Sequence, residues 1–195
     1  TAPYLHDGSA ATVGHAVRAH SGVSIGDTDL ANLSAYLLEI GPDEPTAPMP
    51  EGQGGGLTGN YFNSKDLSGS PKLTRVEVID FDWQKNAPHS SINADNFSVR
   101  WTGKVTASKT GDYKFETVSD DGVRLWVNNS KIIDNWTKHS VTTNTSNKVS
   151  LVAGKSYPIK VEYFDAGGGA VIRLRWKPPG SSSATTIPEA NLLPQ

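Results

Sequence analysis

Thr117-Val118-Ser119-Asp120-Asp121-Gly122-Val123-Arg124-Leu125-Trp126-Val127 reads as the end of one strand, a corner, and the start of another. Val123, Leu125 and Val127 alternate with Arg124 and Trp126, the period-2 pattern of a strand with one face in the core. Asp-Asp-Gly supplies the turn chemistry between the two strands. Outward from this corner the alternation recurs. Phe97, Val99 and Trp101 alternate with Ser98, Arg100 and Thr102; Ile159, Val161 and Tyr163 with Lys160, Glu162 and Phe164; Ile172, Leu174 and Trp176 with Arg173 and Arg175. Turn signals punctuate the pattern at Lys109-Thr110-Gly111-Asp112, Asn128-Asn129-Ser130, Ala153-Gly154-Lys155 and Gly167-Gly168-Gly169. About eight to ten antiparallel strands at this spacing mean an all-β sandwich or barrel. Strands are expected near 97–106, 112–118, 122–128, 157–164 and 170–177, with no helix longer than three turns inside 97–177. Trp83, Trp101 and Trp176 are read as core. Trp126, Phe164 and Val171 fall on the nominally polar side, which calls for a second contact layer.

The pattern is different before residue 57. Residues 1–41 hold three of the five His and none of the five Trp. Leu30, Leu33, Leu37 and Ile40 lie on one face of a helix expected over 27–40, with Asp27 as N-cap and Gly41-Pro42 as its stop. A weaker helix is expected over 13–19. So short a helical piece cannot bury enough apolar surface to stand alone, so it needs a surface to lean on. Residues 42–56 carry four Pro and four Gly and read as a linker, stiff in its Pro half and flexible in its Gly half. The organisation is therefore 1–41 helical tail, 42–56 linker and 57–195 β-sandwich.

Composition excludes several classes of function. With 18 Lys plus Arg against 20 Asp plus Glu, the net charge of −2 provides no global basic field for nucleic acid or anionic lipid. No apolar run approaches the ~18 residues of a membrane-spanning helix. The first residues lack a basic segment followed by an apolar one, so any export signal is expected to have been lost or to lie upstream. Cysteine is absent, which removes disulfide scaffolds, thiolate zinc sites, cysteine nucleophiles and covalent c-type haem attachment. A monomer is expected.

Chemistry concentrates in few places. His89 and His139 stand far apart with no nucleophile motif beside them, and most carboxylates fall in turns or on solvent faces, so no catalytic residue is assigned. Asp120 and Asp121 differ. Two adjacent like charges destabilise the fold unless a cation or hydrogen-bond donors gather around them. Hard oxygen donors from a turn suit Ca²⁺.

Seven stretches, taken in order, carry a resemblance: Leu57-Thr58-Gly59-Asn60-Tyr61-Phe62, Phe97-Ser98-Val99-Arg100-Trp101-Thr102-Gly103, Gly111-Asp112-Tyr113-Lys114-Phe115, Ser119 to Asn128, Ile132-Ile133-Asp134-Asn135-Trp136, Val161-Glu162-Tyr163-Phe164 and Arg173-Leu174-Arg175-Trp176. With the Ile187-Pro188 tail, residues 57–195 resemble the PA14 domain. The resemblance implies a β-sandwich. In lectin members of that family an Asp-Asp pair joined by a cis peptide holds a Ca²⁺ that ligates sugar hydroxyls. Carried over, the pair is Asp120 and Asp121, and the later ligand loop is Asp165-Ala166-Gly167-Gly168-Gly169-Ala170. The implied metal ligands are Asp120, Asp121, Asp165, Gly167 and Gly168; the implied sugar contacts are Asp120, Asp121 and Gly169, with Trp126 and Trp136 flanking. Adhesin members often place an Asn and a longer loop where this chain has Asp165 and bare glycines, so the sugar is not named.

Tyr4 to Thr12, Ala16 to His20 and the helix Leu30 to Ile40 resemble the last segment of di-haem cytochrome c peroxidase-like domains. No Cys-x-x-Cys-His motif is present, so neither haem nor peroxidase activity carries over. The expectation is a fragment of a larger bacterial multidomain protein that is extracellular, periplasmic or on the cell surface. It would be a non-catalytic Ca²⁺-dependent carbohydrate-binding module beside an upstream cytochrome-like domain. The alternative is a structural or spacer domain of a secreted enzyme, with no sugar site of its own.

Overall fold

Alternation becomes burial in the computed structural model, which describes residues 55–195. The helices expected over 13–19 and 27–40, and residues 42–54 of the linker, lie outside the described residues. One sheet runs in the order β2 (Leu73–Glu77), β1 (Leu57–Phe62), β4 (Phe97–Thr106), β10 (Ser156–Asp165), β6 (Val123–Val127) and β7 (Ser130–Asn135), with β13 (Leu192–Pro194) also paired to β4. The other runs β12 (Thr185–Thr186), β11 (Ala170–Lys177), β5 (Gly111–Asp120) and β8 (Thr142–Thr145). Two short strands, β3 (Asp80–Gln84) and β9 (Val149–Leu151), attach to β11 and β5. Every pairing is antiparallel. The five strands expected from alternation are all present, and the only helical element among the described residues is a 3₁₀ turn at Glu189–Asn191.

The apolar phase of each strand faces inward. Phe97, Val99 and Trp101 of β4, Val161 and Tyr163 of β10, and Leu125 of β6 are buried in one core cluster with Tyr113 and Phe115 of β5 and Ile172, Leu174 and Trp176 of β11. Edge-on aromatic contacts knit it together, with Tyr61 and Trp101 centroids 6.0 Å apart and Phe97 and Tyr163 5.9 Å apart. Two polar atoms of this core are satisfied by Glu77, whose carboxylate accepts from the Trp101 indole at 2.7 Å and the Tyr61 hydroxyl at 2.5 Å and pairs with Arg75. Burial, and then the charge of Glu77, push the Tyr61 phenol far above its ordinary range.

One aromatic expectation needs correction. Trp101 and Trp176 are core, but Trp83 is only half-buried; it stacks on Phe81 at 4.8 Å and meets Phe97 edge-on at 5.6 Å, closing the rim of the core rather than filling it. The second layer exists over Phe164, which is buried although it sits on the polar phase of β10. Trp136 meets Phe164 edge-on at 4.8 Å, and the Phe164 ring lies so near Gly122 that a Cβ there would be 2.2 Å from a ring carbon. Gly122 is thus required by close approach rather than by turn conformation.

A chain beginning at Gly52 is expected to unfold cooperatively in denaturant, because the division of the chain into compact units falls at that residue. In the same assay Trp101→Ala should lose about 3–5 kcal/mol, the cost of emptying a fully buried indole site. A non-cooperative transition for the shortened chain would show the boundary to be misplaced.

Candidate functional site

The site is built where strands of the two sheets end together. β5 finishes at Asp120, Asp121 and Gly122 turn the chain, and β6 begins at Val123 in the opposite sheet. The Asp120–Asp121 peptide is cis, as the family resemblance implied. Asp121 points inward and is 1% exposed, whereas Asp120 is only half-buried. The Asp121 carboxylate accepts two backbone N–H groups, from His139 at 3.0 Å and from Ala166 at 2.7 Å. It thereby fixes the loop between β7 and β8 and the loop between β10 and β11 to the corner. The Tyr163 hydroxyl donates to the Asp120 carbonyl at 2.5 Å, holding the corner from beneath.

Asp165, the last residue of β10, lies opposite Phe97 in the pairing with β4 and is fully buried. Neither carboxylate oxygen has a hydrogen-bond partner in the protein. The backbone amides of Asn96 and Gly167 are near enough to favour its charge slightly, but neither reaches hydrogen-bonding geometry. Beyond it, Gly167 and Gly168 adopt φ of 124° and 110°, a region that side chains rarely enter, which lets the loop fold back over the corner. The Gly168 N–H donates to Asp95 at 3.1 Å, and Gly169 abuts the Asp120 carboxylate, where a Cβ would lie 3.7 Å from Oδ2.

Four carboxylates therefore meet at one rim: Asp95, Asp120, Asp121 and Asp165. Burial, then the charges of Asp121 and Asp95, push the Asp165 carboxyl up to about 6. Asp120 is raised for the same reasons, by burial and then by Asp121, with His139 and Lys138 pulling the other way. Two buried carboxylate oxygens without a partner are costly unless something outside the protein satisfies them. Among the described residues no three His, Cys, Asp or Glu side chains form a metal-holding cluster. A cation here would therefore need backbone carbonyls of residues 166–169 beside the carboxylates. That donor set, all hard oxygen, fits Ca²⁺.

Beside Asp120 opens a cleft of about 610 Å³, lined by Gln84, Lys85, Asn86, Val141 and Gly169. The structure brings Asp120, Asp121, Asp165, Gly167, Gly168 and Gly169 together, but not the two tryptophans as ligand platforms. Trp126 lines a separate groove, with Lys160 Nζ 3.8 Å from its ring centroid. Trp136 is near the corner, yet its ring is engaged edge-on by Phe164 and covered by the Arg124 guanidinium at 3.9 Å. Sequence reasoning missed Asp95, Gln84 to Asn86 and the backbone role of His139. Asp95 sits in an unpatterned loop some seventy positions from Asp165, and the pairing of β4 with β10 brings them together.

Two antiparallel sheets that carry an acidic corner and a glycine loop at one rim define a β-sandwich whose site lies on its loops. Residues 53–190 match the PA14 domain, and the chain belongs to that family. It is 43% identical over 143 residues to the anti-sigma-I factor RsgI3 of Acetivibrio thermocellus, covering 73% of this chain and 22% of that one. This chain spans less than a quarter of that relative. A solved anti-sigma factor domain-containing protein from Clostridium clariflavum superposes with a TM-score of 0.69 at 36% identity, over 78% of this chain and 52% of the other. A structure described as the PA14 sugar-binding domain from an RTX adhesin superposes with a TM-score of 0.60 at 17% identity, over 72% and 99% of the two chains, and shows the shared fold.

The raised carboxyl of Asp165 has a consequence for stability. A folded value of about 6, against 3.8 for the free side chain, means that the folded state binds more protons between these values, so stability rises as pH falls through that window. Asp120 acts in the same sense. Asp66 and Asp112, held low by hydrogen bonds from neighbouring serines, oppose it only below about pH 4. In EDTA, the melting temperature should be higher at pH 5 than at pH 7, and Asp165→Asn should flatten the difference. A lower melting temperature at pH 5, unchanged by Asp165→Asn, would contradict the assignment.

Proposed function

We propose that this chain is a non-catalytic, Ca²⁺-dependent carbohydrate-binding module of a larger secreted or cell-surface protein. The observation that carries the reading is Asp165: a fully buried carboxylate with two partnerless oxygens, next to the Asp120–Asp121 corner. Asp120, Asp121 and Asp165, with carbonyls of Gly167 and Gly168, would hold the cation. Bound Ca²⁺ supplies open coordination positions that two neighbouring sugar hydroxyls can take in exchange for water. The protein's own share is to present Asp120 and the Gly169 backbone at the mouth of the cleft, where Gln84 and Asn86 offer amide groups to further hydroxyls. The RTX adhesin domain of the same fold, described as sugar-binding, supports this reading. The anti-sigma factors fit a module carried by proteins of differing overall role. On the resemblance of residues 4–40 alone, the larger protein is read as having a cytochrome-like domain upstream.

One observation favours the spacer alternative. Both Asp121 oxygens already accept backbone N–H groups, so this residue can tie the loops together without a cation. Titration calorimetry separates the two readings. The sugar-binding reading predicts one Ca²⁺ per chain, about 2.7 kcal/mol of added stability at a hundredfold excess over Kd, and retention on neutral glycans of an array that EDTA abolishes. Asp120→Asn combined with Asp121→Asn should remove all three. Absence of Ca²⁺ binding to the intact chain leaves the spacer reading in its place.

A further inference from the structure

A second groove, of about 540 Å³, crosses the solvent face of the seven-stranded sheet. Lys104, Trp126, Asn129, Lys160, Pro194 and Gln195 line it. It lies at the opposite end of β10 from the acidic corner: Pro158 in its floor is seven positions from Asp165, roughly 23 Å along an extended strand. From β13 across β4 and β10 to β6 it spans three inter-strand spacings, roughly 14 Å. Side-chain amides of Asn129 and Gln195 stand on opposite walls, with Lys104 and Lys160 between them.

The charge of this face is opposite to that of the chain as a whole. Glu162, buried in the middle of it, is shared by Arg100 at 2.9 Å, Arg124 at 2.6 Å and Lys160 at 3.7 Å. One carboxylate therefore serves three cations. Lys131 is paired with Asp134, and exposed Lys104 has no ion-pair partner among the described residues. A chain of net charge −2 has thus gathered uncompensated positive charge around a single groove. Trp126 does not offer a bare ring there, because Lys160 Nζ sits 3.8 Å from its centroid, with Arg124 and Lys131 at 5.6 and 6.0 Å. The indole serves instead as the seat of the Lys160 ammonium group, which lies at the groove.

We propose that this groove binds an acidic polysaccharide, whose carboxylate or sulfate groups are met by Lys104 and Lys160 and whose hydroxyls are met by the amides of Asn129 and Gln195. A neutral glycan would leave the cation excess unanswered. A single-stranded nucleic acid would need successive aromatic platforms for its bases, and the groove has one indole, already covered. The site is independent of the acidic rim and needs no Ca²⁺.

The test is retention of the full chain, in EDTA, on immobilised alginate (a polyuronate), dextran sulfate, uncharged dextran and oligo(dT). Retention on alginate or dextran sulfate, weakened by added salt and absent on dextran, is expected; which of the two holds the chain more tightly identifies the anionic group. Lys104→Ala with Lys160→Ala should weaken it by about tenfold or more. Lys104→Glu, at an exposed position, should do the same, and Lys65→Glu, exposed and outside the groove, should change nothing. No retention on either acidic polymer, retention insensitive to Lys104→Glu, or tighter holding on oligo(dT) would overturn the proposal.

Discussion

One carboxylate, that of Asp121, ties together the working end of this molecule. It accepts a backbone N–H from each of two loops that belong to different hairpins, and it does so from the cis corner where the chain passes from one sheet to the other. Buried charge of this kind is tolerated only where donors surround it. Asp165 beside it is buried just as deeply, without donors. The rim is therefore organised by one satisfied carboxylate and left electrostatically incomplete by another, and that asymmetry is what makes it a candidate cation site.

The sandwich beneath explains how such a rim is held. β10 lies between β4 and β6, and its inward Val161 and Tyr163 belong to the core that fixes the position of Asp165 at its end. Tyr163 also reaches the Asp120 carbonyl, so the core and the corner share a residue. The other end of the same strand carries Pro158 and Lys160 into the basic groove. One strand thus reaches the acidic rim at one end and the basic groove toward the other.

How much of this was legible in the sequence follows from what each residue has to contrast with. Long strands such as Phe97–Thr106 and Ala170–Lys177 announce themselves because apolar and polar side chains alternate along them. Thr142–Thr145 does not, since Thr-Thr-Asn-Thr has no apolar phase, although it pairs with β5. Asp120, Asp121 and Asp165 were found through adjacency of charge and a family resemblance. Trp126 was assigned to the corner because it is five positions from Asp121, but a strand carries its residues away at ~3.3 Å each, and the indole ends in another groove. Asp95 could be found only from strand pairing, which no local pattern encodes.

In the reading proposed above, oxygens of Asp120, Asp121, Asp165 and the glycine loop complete their coordination with one cation. A crystal structure of the chain grown with Ca²⁺ tests it most directly. One ion is expected at this rim, ~2.3–2.6 Å from carboxylate and loop carbonyl oxygens, with Asp165 or Asp121 among its ligands. A rim holding only water, with Asp165 taking up a hydrogen-bonded position of its own, would contradict it.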